Sequence, residues 1–270
     1  CTVWDPHRVL IACDHFCPPA RVDWADLQKS VLRFVARHAL PDLRMYQGIC
    51  HQLLLEDPRV QPGRVVVGAD SHTTLVGAVG CFATGLGATD ILGCLATGTT
   101  WFRVPESVRV EITGTRRPWV MGRDIALALL RHFGESGANY RALELHDRTG
   151  GGLGMDSRAA ICCMAPEMGA KAALFVPDAV TQAYLQRRDH GVSAPFTPPA
   201  AGSAYAETLT VDAGTLPSLV AQPHSPARVA PVAEVRGVRL DEIYIGSCAG
   251  GRLEDLAMAA GLLAGRQVAR

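Results

Sequence analysis

The chain has 270 residues, 48% of them apolar and 19% charged, enough to bury one large core or two smaller ones and to set disorder aside. Lysine plus arginine balance aspartate plus glutamate at 26 against 26, so no net charge draws the molecule to nucleic acid or to an anionic membrane surface. No apolar run reaches the roughly 18 residues needed to span a bilayer, and no membrane partner is expected.

No basic segment followed by an apolar core opens the chain, and it begins at Cys1 rather than methionine, so we expect the protein to continue ahead of that residue. Its nine cysteines are an odd number with one adjacent pair, Cys162 and Cys163. They lack the even spacing of a secreted disulfide framework, and a reducing, cytoplasmic compartment is expected. Most cysteines in such a chain serve as small buried hydrophobes.

Residues 8–13 (RVLIAC) form a short apolar run ending in Asp14-His15, and residues 65–69 (VVVGA) form another ending in Asp70-Ser71-His72. A third, residues 243–245 (IYI), ends in Gly246-Ser247-Cys248. Runs of this length, rich in Val and Ile, read as buried strands. Between the first two, Trp24, Leu27, Val31, Phe34 and Val35 share one helix face, with Asp23 placed as N-cap. Strand, helix, strand predicts the α/β class. His51 follows Gly48 in a helical segment, GICHQ.

Residues 77–98 are dominated by Gly, Ala and Thr, which predicts a helix or turn pressed against another backbone; no dinucleotide fingerprint is present. Ile125, Leu127, Leu129 and Leu130 predict a helix over residues 123–132 that ends at Gly134. Another is expected over residues 178–187, and a last one over residues 252–263. Residues 189–206 collect Pro, Ala, Ser and Gly without periodicity, and residues 223–231 are similarly irregular. The predicted organisation is an α/β/α domain over residues 1–188, an irregular connection over 189–235, and the start of a second α/β/α domain over 236–270.

In open α/β sheets, ligands bind outside the carboxyl ends of strands, and three predicted strand ends carry reactive residues. A carboxylate beside an imidazole, as in Asp14-His15, sets the ring's tautomer and raises its basicity. Alone, that dipeptide is more often a turn with a satisfied histidine. Asp70-Ser71-His72-Thr73 offers a carboxylate, a hydroxyl and an imidazole in one loop, yet alone it is a capped helix start. Cys248 lies between a strand and a helix N-terminus, where a thiolate is favoured; its bland alternative is a small buried thiol.

Together the segments form an ordered set: DH, GICHQ, VVVGADSHT, TGLGATD, TWFRVPESVRVEITG, MAPEMGAKA, PHSPARVAPVAEV and IYIGSCAGGRLEDLAMAAGLL. Over nearly its whole length the chain resembles the aconitase superfamily, within it the large subunits of bacterial and archaeal isopropylmalate dehydratases. The resemblance implies three-layer α/β/α domains with mixed, largely parallel sheets. It also implies a hydro-lyase with a 4Fe-4S cluster held by three cysteine thiolates, one iron being open to substrate and water. Carried over by position, it makes Cys248 a cluster thiolate and Asp14-His15 the pair that assists departure of the hydroxyl. His51, Asp70, His72 and Glu167 would surround the open iron, and Ser71 would bind a substrate carboxylate. The base that removes the carbon-bound proton is implied to sit on a separate small, swivelling-domain subunit. The other two cluster cysteines are implied beyond Arg270.

The chain departs from the family pattern at three places. Cys163 stands where the family's ICNM motif has asparagine, Ala249-Gly250 replace threonine and asparagine after GSC, and Phe16-Cys17 follow the DH pair in place of asparagine and an aliphatic residue. Such losses of polar groups retune or weaken a metal site. The reading is therefore the large subunit of a dehydratase acting on a small hydroxy di- or tricarboxylic acid, foremost 2-isopropylmalate in leucine biosynthesis. Three alternatives stay open: a homoaconitase- or aconitase-like paralogue, a cluster-less relative without catalysis, and a zinc hydrolase using His15, His51, His72 and Asp70. Nothing resembling HExxH supports the last.

Overall fold

A computed structural model describes residues 2–188, 199–200 and 202–267 of the chain. Strands β1 (Ile11–Cys13) and β2 (Leu43–Met45) pair in parallel across helix α1 (Val22–His38), and the short helix α2 (Cys50–Leu55) follows. Strands β3 (Val65–Gly68) and β4 (Phe82–Gly85) form a second parallel pair, joined by a 3-10 segment, Ser71–Val79, and followed by α3 (Ala88–Thr97). The largest sheet is built from β5 (Ser107–Thr113), β6 (Ala142–Asp147), β7 (Ala172–Phe175) and β8 (Glu207–Asp212), all parallel, in the order β7-β6-β5-β8. Helices α4 (Gly122–Phe133), α5 (Met155–Cys163) and α6 (Ala179–Gln186) fall between these strands in sequence. Strands β9 (Leu219–Ala221) and β10 (Val229–Pro231) make an antiparallel pair, and α7 (Leu253–Leu263) ends the described chain. The class is α/β, as expected. No helix among the described residues is long and apolar enough to cross a membrane.

The core follows from strand periodicity. In β5, Val108, Val110 and Ile112 are fully buried while the residues between them are half-exposed, the alternation of a pleated strand. They join Leu143 and Leu145 of β6, Phe175 of β7 and the inner faces of α4 and α5 in one apolar cluster. Helix α4 buries Ile125, Leu129 and Leu130 and closes at Gly134, as its pattern predicts. The Gly/Ala/Thr-rich stretch does lie against another backbone: a Cβ on Gly77 would collide with the Ala173 carbonyl of β7.

Several expectations need correction. Residues 243–245 pair with no strand among the described residues, and Ile243 and Tyr244 are exposed; an apolar run becomes a strand only where a ladder partner satisfies its backbone. Helix α1 is capped at Arg21, and Asp23 instead pairs with the Arg21 guanidinium from the first turn. Its apolar face is shallow, with Leu27 exposed and no residue fully buried. Residues 189–235, expected as an irregular connection, supply β8, β9 and β10. Pairing with β5 decided the matter for β8, and the buried Asp124 carboxylate accepts the Leu219 N–H at 2.6 Å for β9. Residues 189–198 of that stretch lie outside the described part.

Arg158 of α5 is the largest fully buried side chain. Its Nε donates to the Leu153 carbonyl at 3.2 Å. Nη1 donates to Asp178 Oδ1 at 2.8 Å and to Thr181 Oγ1 at 3.3 Å. Nη2 reaches Asp147 Oδ2 at 2.7 Å and Asp178 Oδ2 at 2.6 Å, and the guanidinium lies 5.0 Å over the Phe175 ring. The fork thereby ties the end of β6 to α5 and to the N-cap of α6. Removing one partner of a buried ion pair leaves an unpaired buried charge, which costs about 3–5 kcal/mol. Arg158→Met is therefore expected to lose stability of that order in urea unfolding; a loss under about 1 kcal/mol, within the range of surface pairs, contradicts this account.

Candidate active site

Two of the three reactive loops leave the carboxyl ends of parallel strands, as anticipated. Asp14 follows β1. Its Oδ1 accepts the His15 backbone N–H at 2.8 Å and lies 2.9 Å from His15 Nδ1, while Oδ2 accepts the Cys50 N–H at the start of α2 at 2.6 Å. Burial works to raise the Asp14 pKa, yet the Cys50 N–H and His15 lower it to about 2. In turn the Asp14 hydrogen bond raises the pKa of His15 against a smaller effect of burial. His15 thus lies in the turn after β1 with its Nδ1 against Asp14, and its ring is largely exposed.

Asp70 follows β3 and caps the 3-10 segment by accepting the His72 N–H at 2.8 Å. The same carboxylate stands among three imidazoles: Oδ1 lies 3.2 Å from His51 Nε2 and 3.8 Å from His72 Nδ1, and Oδ2 lies 3.6 Å from His15 Nε2. The expected cap is present, and the same carboxylate neighbours three imidazoles. His51 is buried, and burial lowers its pKa against the pull of Asp70. Glu167, on the 3-10 turn Ala165–Met168, reaches His72 Nε2 at 3.3 Å.

Cys248 completes the group. Its thiol is held well below the usual range by a hydrogen bond from Cys163, opposed by burial and helped by His72. The pKa of His72 is raised to about 9, first by its hydrogen bond to Cys248. Cys163, at the end of α5, lies 3.4 Å from Cys248 sulfur to sulfur, and that contact together with burial pushes its own thiol up. The backbone just before Cys248 is unusual, since Ser247 has φ 68, a left-handed conformation that costs a non-glycine residue energy and needs support from its surroundings.

That support comes from residues the motif reading did not single out. Asp156 of α5 accepts from Arg252 Nε at 2.9 Å and from the Glu254 N–H at 3.1 Å, while Arg252 Nη2 donates to Gln52 Oε1 of α2 at 2.9 Å. Ser157 Oγ donates to Glu254 Oε2 at 2.8 Å. The Arg252 backbone N–H donates to Asp255 Oδ2 at 3.0 Å at the start of α7. These contacts dock the start of α7, and with it the Cys248 loop, onto α5 and α2. Gln52, Asp156, Arg252 and Cys248 line one cavity of about 1000 Å³.

Asp14, His15, His51, Asp70, His72, Glu167 and Cys248 are thus drawn together from loops far apart in sequence. Ser71 shares the loop, is exposed, and lines a cleft of about 260 Å³ together with Lys171. The profile of the aconitase family (aconitate hydratase) matches residues 23–239. The chain belongs to the aconitase family. It is 42% identical over 269 residues to 3-isopropylmalate dehydratase large subunit 1 of Methanopyrus kandleri, covering 98% of this chain and 64% of that one. It is 45% identical to the 3-isopropylmalate dehydratase large subunit of Pyrobaculum calidifontis over 97% of this chain and 63% of that one. A probable methanogen homoaconitase large subunit of Methanosarcina mazei is 40% identical over 98% of this chain and 68% of its own length. The chain therefore spans just under two thirds of the two dehydratase subunits, and the family to which it belongs is one of iron-sulfur proteins.

Two titrations test this electrostatic picture. Because Asp14 is the principal cause of the raised His15 pKa, Asp14→Asn is expected to lower the midpoint of the His15 ring resonance in an NMR pH titration; an unchanged midpoint contradicts it. Cys248, whose thiol is held low, is expected to react with iodoacetamide at pH 6 ahead of the buried Cys81 and Cys162, whose thiols burial pushes up. Cys163→Ala removes the largest cause lowering Cys248, so the same reaction should slow at pH 6; an unchanged rate contradicts the picture.

Proposed function

We propose that the chain is the larger part of a large subunit of a 4Fe-4S hydro-lyase. It would isomerise a hydroxy di- or tricarboxylic acid by dehydration and rehydration, foremost 2-isopropylmalate to 3-isopropylmalate in leucine biosynthesis in the cytoplasm. The observation that carries the reading is the Asp70 carboxylate set among His15, His51 and His72 beside the Cys248 thiolate.

A half-exposed, low-pKa thiolate facing two imidazoles suits a metal ligand, so Cys248 would hold one corner of the cluster. Two further thiolates are proposed to come from beyond Arg270. When bound, the cluster supplies a Lewis acid that makes hydroxide a better leaving group.

The chain's own residues would manage the protons. His15, raised by Asp14, is protonated in a larger fraction of molecules near neutral pH and would deliver its Nε2 proton to the departing hydroxyl. His51, buried and biased to the neutral form, would orient the attacking or departing water together with Asp70, His72 and Glu167. Ser71 would hydrogen-bond a substrate carboxylate. The base that takes the carbon-bound proton would be supplied by a small, swivelling-domain subunit, which makes that subunit the required partner.

The full-length protein with its small subunit, reconstituted without oxygen, is expected to carry iron and acid-labile sulfide and to hydrate 2-isopropylmaleate. Cys248→Ser should abolish both, and His15→Gln should keep the cluster while lowering kcat about 10²–10⁴-fold, the usual range for a lost general acid. Iron and sulfide near zero in the wild-type complex would sink the reading. The likeness to the Methanosarcina protein favours one second reading, a homoaconitase-type substrate, which a parallel assay with homoaconitate distinguishes.

A further inference from the structure

His51, His72 and Cys248 each offer a ligand atom, and these atoms all lie within 4.8 Å of one another. Two imidazoles and a thiolate are the donors that zinc and its congeners prefer, and three protein ligands with a fourth position open is the arrangement of a reactive rather than a closed structural site. The donors come from α2, the 3-10 segment and the loop before α7, so their approach is a product of the tertiary fold.

Each donor also has a polar neighbour, although Asp70 is shared among three imidazoles. Asp70 Oδ1 lies 3.2 Å from His51, Glu167 Oε1 lies 3.3 Å from His72, and the Cys163 sulfur lies 3.4 Å from that of Cys248. Carboxylates behind metal-bound histidines fix ring orientation and raise donor strength, and their removal commonly lowers affinity about 10–100-fold. The site is half-buried, with His51 fully enclosed, which limits competition from water.

We infer that His51, His72 and Cys248 form a site for one thiophilic divalent cation of the zinc type, filled when no cluster occupies Cys248. Asp70, Glu167 and Cys163 are its positioning residues. The site goes beyond the hydro-lyase reading and stands without it, because it needs no thiolate from outside the described residues. The two occupants share Cys248 and exclude each other there, so zinc bound first blocks cluster assembly.

The test uses the metal-free chain, reduced and kept from oxygen, titrated with Co²⁺ and then Zn²⁺. One Co²⁺ per chain is expected, with a near-ultraviolet thiolate-to-cobalt charge-transfer band that one equivalent of Zn²⁺ removes. Cys248→Ser should abolish the band, and Glu167→Gln should weaken binding about tenfold or more. His72→Ala and the milder His72→Gln should each weaken it at least as much, with circular dichroism confirming that the variant compared is folded. Cys94→Ser, in α3 away from the site, should change nothing. Absence of the band at stoichiometric Co²⁺, or its survival in Cys248→Ser, overturns the inference. The cluster reading fails by a different readout, iron and sulfide in the reconstituted full-length complex.

Discussion

The contact between the Ser71–Val79 segment and β7 governs the rest of the structure. At Gly77 the two backbones approach too closely for any side chain, and residues 73–79 are buried without exception. A 3-10 segment hidden this deeply must satisfy its polar groups internally. Thr73 Oγ1 donates to the Asp70 carbonyl at 2.7 Å and Thr74 Oγ1 to the Cys162 carbonyl at 2.9 Å. On the other side, a Cβ at Gly85 of β4 would lie 2.7 Å from the Asp70 carbonyl oxygen. Asp70 thus follows β3 with its backbone pressed against Gly85 of β4, and the three imidazoles gather around its carboxylate.

Helix α5 transmits the same rigidity to the thiol side. Arg158 anchors it to the carboxyl end of β6 and to the cap of α6, while Asp156 and Ser157 hold the start of α7. Cys163 closes the helix against Cys248. Anchor, dock and thiol contact thus fall within a single helix of nine residues, so a shift of α5 on the sheet displaces the Cys248 loop with it. The left-handed Ser247 is tolerable on those terms, since interactions elsewhere hold the conformation in place.

Much of this was legible in the sequence wherever chemistry and periodicity coincide locally. The runs ending at Asp14 and Asp70 are strands with reactive residues at their carboxyl ends, and the leucine spacing of α4 marked a true helix. The alternation of Val108, Val110 and Ile112 was equally readable as a strand, although its motif drew attention first as a family signature. Residues 243–245 carry the composition of a strand, but pairing is not a local property, and among the described residues nothing pairs with them. Arg158 was illegible for the same reason: its carboxylate partners lie 11 and 20 residues away, and an isolated arginine reads as a surface charge. Cys163 stood out only as a departure from the family pattern; its contact with Cys248 spans 85 residues.

One carboxylate among three histidines would give three similar groups if their surroundings were alike. Burial separates them. His51 lies enclosed, and the desolvation that disfavours its charge outweighs Asp70. His15 is largely exposed and hydrogen-bonded to Asp14, so its charged form gains. His72 has the Cys248 thiolate and Glu167, and its pKa climbs furthest, to about 9. Surroundings thereby push the three imidazoles in different directions within one group of residues, His15 and His72 up and His51 down. The ordering also depends on what occupies Cys248, because the thiolate is the chief support of the His72 charge. A cation bound there would take that support away, and the proposed metal and proton roles of the site would then be coupled through His72.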